Sequence, residues 1–120
     1  MTVMNVAPIK PAIAIEDLQK IDVRVGTIET VEDVEGAEAL VKLLVNFGDT
    51  RRTVVAGLRK ERADPREIEG RQALFVVNLK PRRIRGVLSE AMLFDLGYAD
   101  GISPRLAVPE APVPDGTRAG

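Results

Sequence analysis

At 120 residues the chain has the length of one domain, which leaves no room in it for a catalytic domain with an appended binding module. It contains neither cysteine nor histidine, which excludes disulfides, thiolate nucleophiles and sulfur-ligated metals, and removes the commonest general acid, base and zinc ligand. A net charge of −1 and a pI near 5.5 weigh against nucleic-acid binding by the molecule as a whole.

Met1 to Pro11 has no basic start or long apolar stretch and carries Pro8 and Pro11, so residues 1–14 are expected to be a flexible tail rather than a signal peptide. Asp17 to Lys20 has the look of a single helical turn. Ile21, Val23, Val25 and Ile28 then alternate with Asp22, Arg24 and Thr27 as a strand. Gly26 inside that run predicts a bulge or bend that lets one strand serve two sides of a small barrel. Glu35-Gly36 makes a turn, Val41–Phe47 a second strand, Gly48-Asp49 a tight hairpin and Arg51–Leu58 a third strand. In Asp64-Pro65-Arg66-Glu67, the aspartate suits an N-cap, the proline the first helical position and Glu67 a capping box, with Gly70 as terminator. Gln72–Leu79 is apolar on both faces and predicts a central fourth strand. Lys80–Val87 is a proline-stiffened basic loop and Leu88–Leu96 the fifth strand. The remaining tail carries Leu106, Val108 and Val113 among its prolines and is expected to pack against something.

Three strands, a helix and two strands is the order of an OB-fold: a mainly β, five-stranded Greek-key barrel with one short helix between strands three and four. Such barrels bind oligonucleotides or oligosaccharides, helped by the loop between strands four and five. Here that loop is the most basic segment. Acids predominate from Glu16 to Glu38, whereas Arg71 to Gly86 holds Arg71, Lys80, Arg82, Arg83 and Arg85 and no acid. An acidic protein with one basic face can still capture a polyanion, because salt screens the field within about 10 Å. Arginine presents a planar fork to phosphate and lysine a point charge, while Pro81 limits the entropy lost in presenting them. Ser89 offers a small donor and acceptor and Met92 a flexible apolar contact, although spacing alone also fits a turn end and a core residue. With only Phe47, Phe75, Phe94 and Tyr98 as rings, a base-stacking platform is not expected, which favours recognition of the backbone and shape of a folded RNA.

Ile15 to Ile28, Val54-Val55-Ala56-Gly57-Leu58, Val76 to Gly86 and Pro112 to Thr117 together resemble the transfer-RNA-binding domain family. That family includes domains appended to methionyl- and other tRNA synthetases, stand-alone tRNA-binding proteins and the CsaA export chaperones. The resemblance runs over residues 15–117 and implies tRNA contact through Asn78, Lys80, Arg82, Arg83, Arg85, Ser89 and Met92. It also implies a homodimer, with Leu106 to Val113 and residues near Ile15 as candidates for the contact. Ser89-Glu90 and Val41-Lys42-Leu43 resemble the chaperone branch, and Val55-Ala56-Gly57 with Met92 the tRNA binders. The expectation is therefore a cytoplasmic, non-catalytic tRNA-binding protein without metal or cofactor, one able to assist an aminoacyl-tRNA synthetase in trans. The alternatives are a chaperone that binds unfolded or signal-type peptides at a dimer groove, and an adaptor whose basic loop meets protein carboxylates.

Overall fold

The computed structural model describes residues 6–59 and 62–120. A short helix, α1 (Ile15–Leu18), precedes the strands β1 (Val23–Val34), β2 (Ala37–Asn46), β3 (Arg51–Ala56) and β4 (Gln72–Val76). Shorter pieces follow: β5 (Arg82–Ile84), β6 (Val87–Ser89), β7 (Met92–Leu93), β8 (Asp95–Leu96), β9 (Arg105–Leu106) and β10 (Arg118–Ala119). All pairings among them are antiparallel. The first five residues of the expected tail lie outside the described ones, while 6–14 contain no helix or strand.

The main sheet runs β3-β2-β1-β4-β7, with β10 beside the start of β1. β1 is long because it serves two partners: its first half pairs with β4 and its second with β2, and Thr27 stands opposite both Gln72 and Asn46. The bend does not lie at the glycine. The register between β1 and β2 slips between Ile28 and Thr30, so the extra residue is Glu29. Gly26 is instead a place of close approach, where an added Cβ would lie 2.5 Å from Val45 Cγ1 and 2.7 Å from the Phe47 ring.

The sheet curls until its two edges meet. The Glu90 N–H donates to the Thr53 carbonyl at 2.8 Å, and the Thr53 N–H donates to Glu90 Oε1 at 3.0 Å. The Val55 N–H donates to Ser89 Oγ at 3.0 Å, and that hydroxyl donates in turn to the Ala91 carbonyl. Side chains thus supply the ladder where the backbone of residues 89–91 is irregular. Inside, Ile28, Leu43, Val45, Val54 and Phe75 are fully buried. Phe47 meets Phe75 edge-on at 5.4 Å and 86°, the arrangement that ring quadrupoles favour.

The segment between β3 and β4 is a single 3-10 turn, Pro65–Ile68. Asp64 caps it by accepting from the Arg66 N–H, but Glu67 does not complete a capping box; its carboxylate pairs with Arg62. Ile68 is fully buried and joins the core of the barrel. The C-terminal tail packs on its own chain. Leu106 joins the core, Gln72 clasps the backbone of Val113, and Val25 exchanges hydrogen bonds with Gly116 and Thr117. Val108 in that tail, and Ile15, Leu18 and Ile21 near α1, remain exposed.

Candidate nucleic-acid interface

The basic segment is more ordered than a loop. β5 and β6 form a hairpin in which Arg82 faces Ser89, Arg83 faces Leu88 and Ile84 faces Val87. The connection is Arg85-Gly86, with φ of +50° and +81°. Positive φ at both central residues is what a two-residue hairpin needs to match strand twist. Glycine adopts it freely; an arginine there costs about 1–2 kcal/mol. What the sequence showed as one fifth strand is divided among β6, β7 and β8, because residues 89–91 turn aside to meet β3.

Lys80, Arg82, Arg83 and Arg85 are all exposed. Among the described residues none of them pairs with a carboxylate, and only Arg83 has a side-chain hydrogen bond, to the Gly86 carbonyl at 3.5 Å. Beneath them lies a groove of about 170 Å³, rimmed by Lys80 and Arg82 and floored by Leu79, Ile84 and Met92. Met92 is 45% exposed, so its thioether is available on that floor.

Asn78 and Ser89 have other engagements. Asn78 accepts from the Asp22 N–H at 2.8 Å and donates to the Lys20 carbonyl at 2.7 Å, tying the end of β4 to the approach of β1. Ser89 is buried, and its hydroxyl closes the barrel. Both hold the stems of the hairpin. Two further residues do the same and carried no motif. Arg52 Nη1 donates to the carbonyls of Val77 at 2.6 Å and Glu90 at 3.3 Å, bridging the segments that enter and leave the hairpin. Glu90 binds Thr53 twice. The signal for Arg52 was its phase: it shares a face with buried Val54, an unusual place for a cation.

Five cations around the barrel wall are matched. Arg24 and Arg118 hold Asp22, Arg51 holds Glu29 and Lys42 holds Glu32, while Arg59 pairs with Asp33. The hydrogen bond from Arg24 holds the Asp22 carboxyl below its usual range, against a smaller opposing effect of burial, with Arg118 assisting. Arg51 lowers Glu29 in the same way. No cluster of acids suited to a metal occurs among the described residues, and no helix among them is long and apolar enough to cross a membrane.

Residues 23–118 match the family described as "Putative tRNA binding domain". A methionine–tRNA ligase of Porphyromonas gingivalis is 41% identical over 112 residues, which is 93% of this chain and 16% of the ligase. One from Chlorobium luteolum is 49% identical over 84 residues, 70% of this chain and 12% of the ligase. The chain thus spans only a small part of the length of these relatives. Among solved structures, a MetRS-related protein from Pyrococcus horikoshii superposes with a TM-score of 0.83 at 31% identity, covering 92% of this chain and all of that one. The chaperone CsaA of Bacillus anthracis gives 0.78 at 26%, with 92% and full coverage.

Proposed function

The chain belongs to the tRNA-binding domain family, and from that premise we propose that it is a non-catalytic module that holds folded tRNA on the β5–β6 hairpin. The observation that carries this is the concentration of unmatched charge on the hairpin: among the described residues Lys80, Arg82, Arg83 and Arg85 have no ion pair within six successive positions, whereas the other cations without one, Lys10, Arg52, Arg66, Arg71 and Arg105, are scattered along the chain. Arg85 adds to it. A guanidinium in a left-handed turn position is a local cost that folding does not need and phosphate binding explains. The barrel we read as an OB-fold, closed by Ser89 and Glu90, with the hairpin as its loop between strands four and five. Lys80, Arg82, Arg83 and Arg85 would contact phosphates, Met92 would lie against a ribose or base, and Asn78 and Ser89 would act through the hairpin they hold. In this reading the module supports a methionyl-tRNA or related synthetase, in cis or in trans, and dimerises through the exposed apolar residues near Ile15. Replacing Arg82 and Arg83 by glutamate should weaken tRNA binding about 100-fold in a fluorescence titration while thermal unfolding stays unchanged. Undiminished binding by that variant would refute the assignment.

One observation favours a second reading. The groove under the hairpin has an apolar floor of Leu79, Ile84 and Met92, and the fold is also that of a CsaA chaperone. A peptide binder would take basic or apolar peptides with micromolar affinity, undisplaced by tRNA; a peptide library without a hit would dismiss it.

A further inference from the structure

One end of the barrel is not filled by the core. The buried cluster that holds Ile28, Leu43, Ile68 and Phe75 lies inside. At that end, the starts of β1 and β3 and the ends of β2 and β4 surround a cavity of about 270 Å³ lined by Asp22, Arg24, Phe47, Asp49, Thr50 and Arg52, beside Val77 and Asn78. Its hydrogen-bonding capacity is only partly used. Arg24 is committed to Asp22 and to the Gly116 carbonyl, and Asn78 is engaged on both its oxygen and its nitrogen by the backbone of Asp22 and Lys20. Arg52 uses Nη1 alone, on the carbonyls of Val77 and Glu90. Its Nε and Nη2 donors, and the Asp49 carboxylate, meet no partner among the described residues. The Thr50 hydroxyl has one long bond of 3.5 Å.

Two arginines and two aspartates line this mouth, so its charge is balanced and a bare anion gains little there. What remains in the lining is a fork of donors on Arg52 and a pair of acceptors on Asp49, with Phe47 and Val77 as its apolar part. A planar, uncharged ligand with an acceptor edge next to a donor edge matches that pattern. Guanine has both edges: O6 and N7 accept from a guanidinium, while N1–H and N2–H₂ donate to a carboxylate. Adenine carries an amino group where guanine has O6, and it would face the guanidinium with a donor. Phe47 is only 5% exposed, so recognition would be by edge rather than by stacking.

We infer that the polar mouth of the barrel is a subsite for an unpaired guanine of the RNA held by the hairpin. This rests on the RNA-binding reading above. The two sites are linked through Arg52, which grips the segments running into and out of the hairpin. An RNA whose phosphates lie on the hairpin would thus find the base pocket at its stem.

The test is an NMR titration of the labelled chain with guanosine 5′-monophosphate, adenosine 5′-monophosphate and inorganic phosphate, alongside a tRNA titration of the same sample. The guanine nucleotide should shift the Asp49–Arg52 amides and the Arg52 Nε–H signal, about tenfold more tightly than the adenine one. Phosphate should leave them in place. Asp49→Asn, at an exposed turn position, should keep the fold and weaken guanine binding about tenfold; Arg52→Lys should do the same while retaining a cation. Equal shifts with adenine, shifts reproduced by phosphate, or shifts confined to residues 80–86 would each overturn the inference. If tRNA binds and the mouth stays silent, the subsite falls and the RNA reading stands. If tRNA itself fails to bind, both fall.

Discussion

Along the barrel wall, Arg24, Lys42, Arg51, Arg59 and Arg118 each sit against a carboxylate, whereas Lys80, Arg82 and Arg85 on the hairpin meet none among the described residues. Exposed ion pairs of this kind contribute only about 0–1 kcal/mol, so stability does not account for the contrast. Pairing cancels the field at those five positions, and its absence leaves a positive potential at the hairpin that reaches about 10 Å at 0.1 M salt. The wall also carries the core, from Ile28 to Phe75, while the hairpin is two short strands with little buried beneath them. If the hairpin holds RNA as proposed, folding and recognition are lodged in different parts of one small chain, joined at stems held by Arg52, Asn78, Ser89 and Glu90.

The strongest way to break the comparison is to reverse charge on the hairpin alone. Arg82→Glu with Arg83→Glu should weaken tRNA binding about 100-fold, yet leave stability within about 0.5 kcal/mol. The converse change is Gly26→Val, which overpacks the wall against Val45 and Phe47 and should destabilise by at least about 3 kcal/mol. Calorimetry should show a lowered Tm, with the surviving folded protein binding RNA as before. Ser89→Ala strikes the joint. It strips the Val55 N–H of its acceptor, which costs about 1–2 kcal/mol, and it should weaken RNA binding as the hairpin loosens. Arg85→Gly relieves the left-handed arginine, so stability should rise by about 1 kcal/mol. The same change should lower the salt dependence of RNA binding by about one unit of slope.

The smallest effect concerns acid. Because Arg24 and Arg118 hold the Asp22 carboxyl below its usual value, the stability it contributes is complete above the unfolded carboxylate range. It is lost as pH falls through the depressed folded value. Asp22→Asn should therefore flatten the acid limb of a stability–pH curve, and an unchanged limb would show that the pair is immaterial.

Much of this architecture was legible in the sequence because strand period and turn chemistry act locally. Asp64-Pro65 marked the turn that delivers Ile68, Gly48-Asp49 marked the hairpin after β2, and the basic run from Lys80 to Arg85 stood out by charge. Gly26 was noticed but its reason was not, since a close approach to Phe47 depends on a partner 21 positions away in the chain. Asn78 and Ser89 were legible as polar residues near a basic run. That both are consumed in holding the barrel together follows only from the register that brings Ser89 to Val55 and Asn78 to Lys20. Arg52 and Glu90 gave no motif; the phase of Arg52 set it on the face of Val54, but the strand ends that it and Glu90 bridge have no sequence period to reveal them.

Whether the unmatched cations of the hairpin capture folded RNA is decided by a titration with tRNA at about 50 and 200 mM salt, beside single-stranded RNA of equal length. Capture through those cations gives a preference for tRNA and an affinity about 100-fold lower at the higher salt, as expected for about four neutralised phosphates. Binding indifferent to salt, or no binding at the lower salt, would contradict it and leave the apolar groove under the hairpin as the site to pursue.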